Sequence, residues 1–243
     1  MRLLLLNGNT DPAITDLLAR KAAAALPRLG LAGITLVPVT ARFGARYIAS
    51  ESAAAIAGHA VLDAVAEHAS DVDAIAIACF GDPGLAAARE IFPGPVVGMA
   101  DASVAAAAAL HPCFALLTGG AAWVPMLRAF CLVRGFGPDQ ALVRGIAPTG
   151  DMIARDPATA AIMLSETATQ AVEDGAGVVV LGGAGLAGIA PLVAPHVAAP
   201  VLDSLDCLLL GAAAARGPIR LAGAGTPSVG LGPALEALLS GGG

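Results

Sequence analysis

Two stretches of the chain, AIAIACFGDPGL at 74–85 and GVVVLGGAGLAG at 177–188, share one design: a short apolar run passes directly into a glycine-rich turn that opens a helix. Apolar runs of this kind, without polar alternation, fit strands buried on both faces, and parallel strands of that type need helical crossovers between them. The rest of the chain keeps the same rhythm, with short apolar runs bounded by turn residues alternating with longer alanine-rich segments. Strands are expected at 2–6, 34–39, 74–79, 96–99, 114–118, 142–147, 177–182 and 201–203. Helices are expected at 12–26, 52–69, 84–91, 103–110, 124–134, 157–174, 186–193 and 204–215, several opened by Asp, Ser or Pro in capping positions.

The order of these elements points to an internal duplication. Four strands up to Met99 and four from Phe114 to Asp203 follow the same sequence, and the third of each set carries the glycine-rich turn. Laying Ala78-Cys79-Phe80-Gly81 on Gly182-Gly183-Ala184-Gly185 pairs Cys79 with Gly183. The expected class is α/β: two pseudo-symmetric, Rossmann-like lobes, each a four-stranded, mostly parallel sheet flanked by helices. The first lobe would comprise 1–98 plus 206–243 and the second 99–205. Ligands of open parallel sheets bind beyond the carboxyl ends of the strands, so both turns are expected to border one cleft.

Hydrophobic residues make up 57% of the chain and the mean hydropathy is +0.78, which raises the question of a membrane protein. The stretches Ala102–Leu127 and Gly175–Leu202 carry no Asp, Glu, Lys or Arg, and each is longer than the roughly 20 residues a spanning helix needs. Both are interrupted, the first by Pro112, Gly119-Gly120 and Pro125, the second by glycines between Gly177 and Gly188 and by Pro191, Pro195 and Pro200. Such backbones would go unsatisfied in hydrocarbon, so no membrane span is expected. The four apolar residues Leu3–Leu6 are too few for a signal peptide, and a cytoplasmic location is expected. Cys79, Cys113, Cys131 and Cys207 are far apart, in no metal-ligand spacing, and are expected as free thiols with no metal. A net charge of −6, no basic run and 3% aromatics argue against nucleic acid. Neither GxGxxG with a downstream acid nor GxxxxGK[ST] is present, so no nucleotide cofactor is indicated. The expected partner is a small molecule.

Cys79 lies at a strand end before Gly81-Asp82-Pro83-Gly84, where amides of the following helix could stabilise a thiolate; it could equally fill core space. The first strand ends in Asn7-Gly8-Asn9-Thr10, a polar turn able to offer amides and hydroxyls to a carboxylate or imide, or simply a capped loop. Thr118-Gly119-Gly120 is its counterpart in the second half. Tyr47 and Ile48, after Arg42–Arg46, lie on a loop that could close over a ligand or be plain surface. Trp123 and Pro125 read as packing residues; Asp203 could bond the turn at Gly183 or cap the following helix, and the cap is the preferred reading. The glycines after Arg216 and the final Ser-Gly-Gly-Gly read as a loose carboxyl end.

Taken together, Asn7-Gly8-Asn9-Thr10, Ile77-Ala78-Cys79-Phe80-Gly81-Asp82-Pro83-Gly84, Thr118-Gly119-Gly120, Leu181-Gly182-Gly183-Ala184-Gly185 and Pro200-Val201-Leu202-Asp203 resemble the aspartate/glutamate/hydantoin racemase superfamily, most closely its hydantoin and allantoin racemase branch. The resemblance spans nearly the whole chain. It implies a cofactor-independent isomerase, commonly oligomeric, with a carboxylate or cyclic-amide substrate between the lobes and one cysteine from each lobe on opposite faces of the reacting carbon. Cys79 would be catalytic. Asn7, Asn9, Thr10, Tyr47, Phe80, Gly81, Thr118, Gly119, Gly183 and Ala184 would line the substrate. The chain departs from the pattern where relatives read Leu-Gly-Cys-Ala-Gly, because Gly183 carries no second thiol. Three outcomes follow: a racemase relying on another group at that face, a single-cysteine decarboxylase of the arylmalonate type with Cys79 as proton donor, or a paralogue that only binds its ligand.

Overall fold

The computed structural model describes residues 1–68, 70–147, 156–216 and 228–240. The chain divides into two compact units, Met1–Gly98 with Leu209–Gly243, and Met99–Leu208.

In the first unit, β1 (Arg2–Asn7), β2 (Thr35–Thr40), β3 (Ala74–Ile77) and β4 (Val96–Gly98) form an all-parallel sheet of order β2-β1-β3-β4. The Leu3–Leu6 run occupies β1 because an interior strand of such a sheet is covered on both faces, and all four leucines are buried. Pro38 falls on β2, an edge strand, where a missing N–H costs no ladder bond. The helices are α1 (Pro12–Arg28), packed on β1 and β2, α2 (Glu51–His68), packed on β1, and α3 (Leu85–Ile91), packed on β4. Asp11 caps α1 by accepting a hydrogen bond from the Ala13 amide, with Pro12 at the first helical position.

The second unit repeats the plan. Its strands β5 (Phe114–Gly119), β6 (Ala141–Ile146), β7 (Val179–Gly182) and β8 (Val201–Asp203) are all parallel in the order β6-β5-β7-β8. α4 (Met99–Leu110) covers β7 and β8, and α5 (Trp123–Val133) covers β6 and β5. α6 (Pro157–Glu173) supplies Ala160, Leu164 and Ala168 to a core shared with Ala115, Leu117, Val179 and Leu181. A short α7 (Ala190–Val193) precedes β8, and α8 (Ser204–Ala214) follows it.

Registers show how closely the two sheets correspond. Leu6 lies opposite Ile77 and Val39, and Leu117 lies opposite Leu181 and Arg144. On the next strand out, Ile77 faces Gly98 while Leu181 faces Asp203.

Several expectations need correction. β3 stops at Ile77 rather than Cys79, although the Ala78 amide still bonds Leu6 O at 2.8 Å. α4 starts at Met99, four residues earlier than expected, because the chain turns into helix directly from Gly98. The helix expected over 186–193 is split: Gly188 at φ 76°, then Pro191 and Pro195, leave two 3₁₀ turns (Ala184–Leu186, Ala194–His196) around α7. The carboxyl end carries a further helix, α9 (Pro233–Ser240), with Leu235 buried. Proline at its first position and Glu236 in its first turn suit a helix start. Ala69, the glycine-rich residues 217–227 and the final 241–243 lie outside the described residues. Among the described residues no helix is long and apolar enough to cross a membrane.

Candidate active site

The turn that carries Cys79 is built on backbone shapes few residues accept. Gly81, Asp82 and Gly84 have φ of 154°, 51° and 73°, and Asp82 is the single non-glycine with positive φ among the described residues. Aspartate tolerates the left-handed region better than most side chains. The Asp82 amide bonds Cys79 O at 3.0 Å and the Leu85 amide bonds Asp82 O at 3.2 Å, closing the turn onto α3. At Gly84 both dihedral and space demand glycine, since a Cβ there would stand 2.8 Å from the Gly58 carbonyl of α2.

Cys79 is 8% exposed. Burial pushes its thiol up to about 12, with the nearby Asp82 charge as the second cause. Both causes favour the neutral thiol over the thiolate. Phe80 is also buried, at the back of the same turn.

The β1 turn closes against this cysteine. A Cβ on Gly8 would lie 3.8 Å from Cys79 Cβ, 3.2 Å from Pro83 Cγ and 3.7 Å from Val61 Cγ2, so the backbone at Gly8 closely approaches the sulfur-bearing residue. Asn7 is buried, and its amide nitrogen faces Asn9 Oδ1 (2.9 Å), Asp11 O (3.2 Å) and Thr15 Oγ1 (3.0 Å), while its oxygen accepts from the Asn9 amide at 3.1 Å. Asn9 Oδ1 also accepts from the Asp11 amide. Both side chains thus hold the turn's shape, and Asn7 has its hydrogen-bonding capacity used internally. Asn9 and Thr10 are half-buried, and the Thr10 amide bonds Ala45 O at 3.1 Å, tying the turn to the loop that bears Tyr47, which is 39% exposed.

In the second unit Thr118 and Gly119 end β5 and are buried. Gly183 follows β7 at φ 130°, ψ 148°, with its N–H toward Ser204 Oγ at 3.4 Å. Space at its Cα is open, the nearest atom to an added Cβ being Leu186 Cδ1 at 3.5 Å. Ala184, half-buried, begins the first 3₁₀ turn. Trp123 is buried at the start of α5, in keeping with a packing role. Asp203 caps α8 by accepting from the Leu205 amide at 3.0 Å, and also holds the far end of the β7 turn through the Gly188 amide at 2.6 Å. Burial, then the Asp206 charge, raises its carboxyl above the usual range.

Asp82 and Asp203 answer one another. A Cβ on Gly98 would fall 2.3 Å from the Asp82 carboxylate, so that carboxylate occupies the place beside the end of β4 that Asp203, Gly98's counterpart in register, fills with its own side chain in the second sheet. Each unit therefore sets a carboxylate at the end of its fourth strand, but one sends it from the third strand's turn and the other from the fourth strand itself. Gly8 and Asp82 fall inside the two motifs, but the motifs give neither a role of its own. A glycine between two asparagines was the available signal for the first, and a positive-φ aspartate leaves none.

Two doubly wound parallel sheets of identical strand order, each with a glycine-shaped turn after its third strand, define a duplicated α/β enzyme class. The profile of the Asp/Glu/hydantoin racemase family matches residues 3–211, and the chain belongs to that family. It is 31% identical over 213 residues to a hydantoin racemase of Paenarthrobacter aurescens, covering 85% of this chain and 87% of that one. An allantoin racemase from Pseudomonas fluorescens superposes with a TM-score of 0.81 at 27% identity, covering 88% of this chain and 89% of the other. A mutant of arylmalonate decarboxylase in its liganded form shares the fold, with a TM-score of 0.64 at 16% identity and 99% of both chains covered.

Proposed function

We propose that this protein is a cofactor-independent racemase of a small carbon acid, a 5-substituted hydantoin or an amino-acid-like molecule, with Cys79 moving the α-proton. The observation that carries the reading is a cysteine just beyond the carboxyl end of β3, opening a turn with three positive-φ residues, in a chain 31% identical to a hydantoin racemase over most of its length. We assign substrate contacts to Asn9, Thr10, Tyr47, Gly81, Thr118, Gly119, Gly183 and Ala184, with Asn7 and Phe80 shaping the turns behind them. Racemisation requires Cys79 to lose its proton to solvent, take the α-proton as thiolate, and leave a planar carbanion that is reprotonated from the other side. Gly183 offers no proton there, so water is the donor; the hydroxide it leaves is neutralised by the proton first released from Cys79, and the reaction favours substrates whose α-proton exchanges readily. A positioned acid or base contributes typically about 10²–10⁴-fold.

The test is an enantiopure 5-substituted hydantoin incubated in D₂O. Optical rotation should decay as deuterium enters at C5, and Cys79→Ser should slow both by at least about 10²-fold. Tight binding without deuterium uptake across a series of hydantoins and amino acids would assign a ligand-binding role instead.

A second reading, which the comparisons do not favour, starts from the glycine at 183, a position without a thiol. In a decarboxylase the C–C bond to the departing carboxylate breaks, CO₂ leaves, and the electron pair stays on the α-carbon. Cys79 then donates its S–H proton and is reprotonated by solvent, so one thiol is sufficient. A prochiral α-aryl-α-methylmalonate giving a single enantiomer of the monoacid would establish it; a racemic product or no turnover would remove it.

A further inference from the structure

We propose that Asp63 is a positioning residue through which the carboxyl-terminal helix sets the loop beside Cys79, an inference that rests on the reading of Cys79 as the proton-transfer group. One stretch of α2, from Gly58 to Asp63, meets the Cys79 turn, the β1 turn and the loop after β2. The Gly58 carbonyl abuts Gly84 of the Cys79 turn, and Val61 abuts Gly8 of the β1 turn. His59 stacks edge-on against Phe43 of the following loop, with centroids 5.1 Å apart at 73°.

Asp63 completes the set. Its side chain is only 4% exposed, and Oδ2 receives Arg42 Nη2 at 2.5 Å, while the same guanidinium reaches Glu67 Oε1 at 2.7 Å. A carboxylate so deeply buried requires a charged or hydrogen-bonding partner. Its other oxygen faces the tail: a Cβ on Gly232 would lie 2.4 Å from Asp63 Oδ1. Gly232 is the foot of α9, its carbonyl accepting from the Glu236 amide at 2.9 Å, and α9 packs along α2 with Leu235 buried. The tail therefore abuts the Asp63–Arg42 pair, since the same Cβ on Gly232 would lie 3.6 Å from Arg42 Nη2.

Arg42 passes the constraint on. Ala41, its neighbour, bonds Asn7 O through its amide at 3.0 Å, Ala45 O accepts from Thr10, and Arg46 reaches Asp11 at 3.4 Å. The loop from Ala41 to Tyr47 is thus fastened to the turn that flanks Cys79, and a shift at Asp63 moves both. Asp63 touches no reacting atom, so its effect falls on how a substrate is held.

The experiment compares full-length Asp63→Asn, Gly232→Ala and the double variant, reading steady-state hydantoin racemisation together with amide hydrogen exchange of residues 41–50 without ligand. Each single variant should raise KM about 5–10-fold with kcat within about twofold. Exchange over 41–50 should quicken about tenfold, and the double variant should match the stronger single, because both act through one carboxylate. Arg42→Lys should restore most of what Arg42→Ala loses. A lowered Tm with unchanged KM and unchanged exchange at 41–50 would overturn the proposal, as would effects that multiply in the double variant. If Asp63→Asn does not fold, Gly232→Ala and Arg42→Ala carry the same readouts. If no hydantoin is turned over by the unaltered protein, the racemase assignment fails on its own and the exchange measurement still decides the role of Asp63.

Discussion

Neutralising Asp82 should make Cys79 more reactive by a bounded amount. The thiol is raised from 9.0 to about 12 by burial first and by the Asp82 charge second. At pH 8 a thiol near 12 is ionised in only about one molecule in 10⁴. Because burial is the larger cause, Asp82 accounts for less than half of the rise, so Asp82→Asn multiplies the thiolate fraction by no more than about 30-fold. Asparagine tolerates the φ of 51° and keeps the side-chain volume that Gly98 accommodates, so the turn is preserved. The assay is iodoacetamide labelling at pH 8, followed at each cysteine-containing peptide by mass spectrometry. Labelling at Cys79 should quicken about 3–30-fold in Asp82→Asn, while Cys113, Cys131 and Cys207 keep their rates. An unchanged or slower Cys79 in a variant of normal Tm would refute the electrostatic account. Labelling of unaltered Cys79 at the rate of a free thiol would refute the burial account as well.

Other outcomes follow from the same structure. Gly183→Cys has room for its side chain but must adopt φ 130°, ψ 148°, a region nearly confined to glycine. The strain should be about 1–3 kcal/mol, seen as a Tm lowered by roughly 2–10 °C. Hydantoin racemisation by the surviving folded enzyme should nevertheless rise, and a restored thiol that leaves the rate untouched would argue against proton return at that turn. Alkaline stability is a further check, since Cys79 is raised to about 12 and Cys131 and Cys207 to about 11, each with burial as the leading cause. The folded state holds these protons more tightly than the unfolded chain, so stability is intact below about pH 9 and falls as pH climbs toward 11–12. Thermal melts from pH 7 to 11 should show that slope, and Cys79→Ala should flatten it; a melt temperature constant across the range would contradict it.

The strands and their duplication were readable because β1, β3, β5 and β7 are short uninterrupted apolar runs, which suit an interior position of a parallel sheet. That Cys79 follows the third run was readable for the same reason, although β3 ends two residues before it. The carboxyl-terminal helix was not, since Pro233–Ser240 is eight residues long, is surrounded by glycines, and owes its place to Leu235 and Gly232 meeting α2 far away in sequence. The burial of Cys79 was one of two open readings, because a glycine turn before a helix is visible in the sequence whereas burial is visible only in three dimensions. Asp63 and Arg42, separated by 21 residues, offered no local pattern at all.

The exchanged carboxylates of the two units have an evolutionary corollary. Transplanting the turn of β7 into the first half would bring Leu186 over Gly98 and leave no acid there, and the opposite transplant would crowd Asp82 against Asp203 in one spot. Either half-swap is self-defeating, so the two turns are not interchangeable and each can change only together with the carboxylate of its own unit.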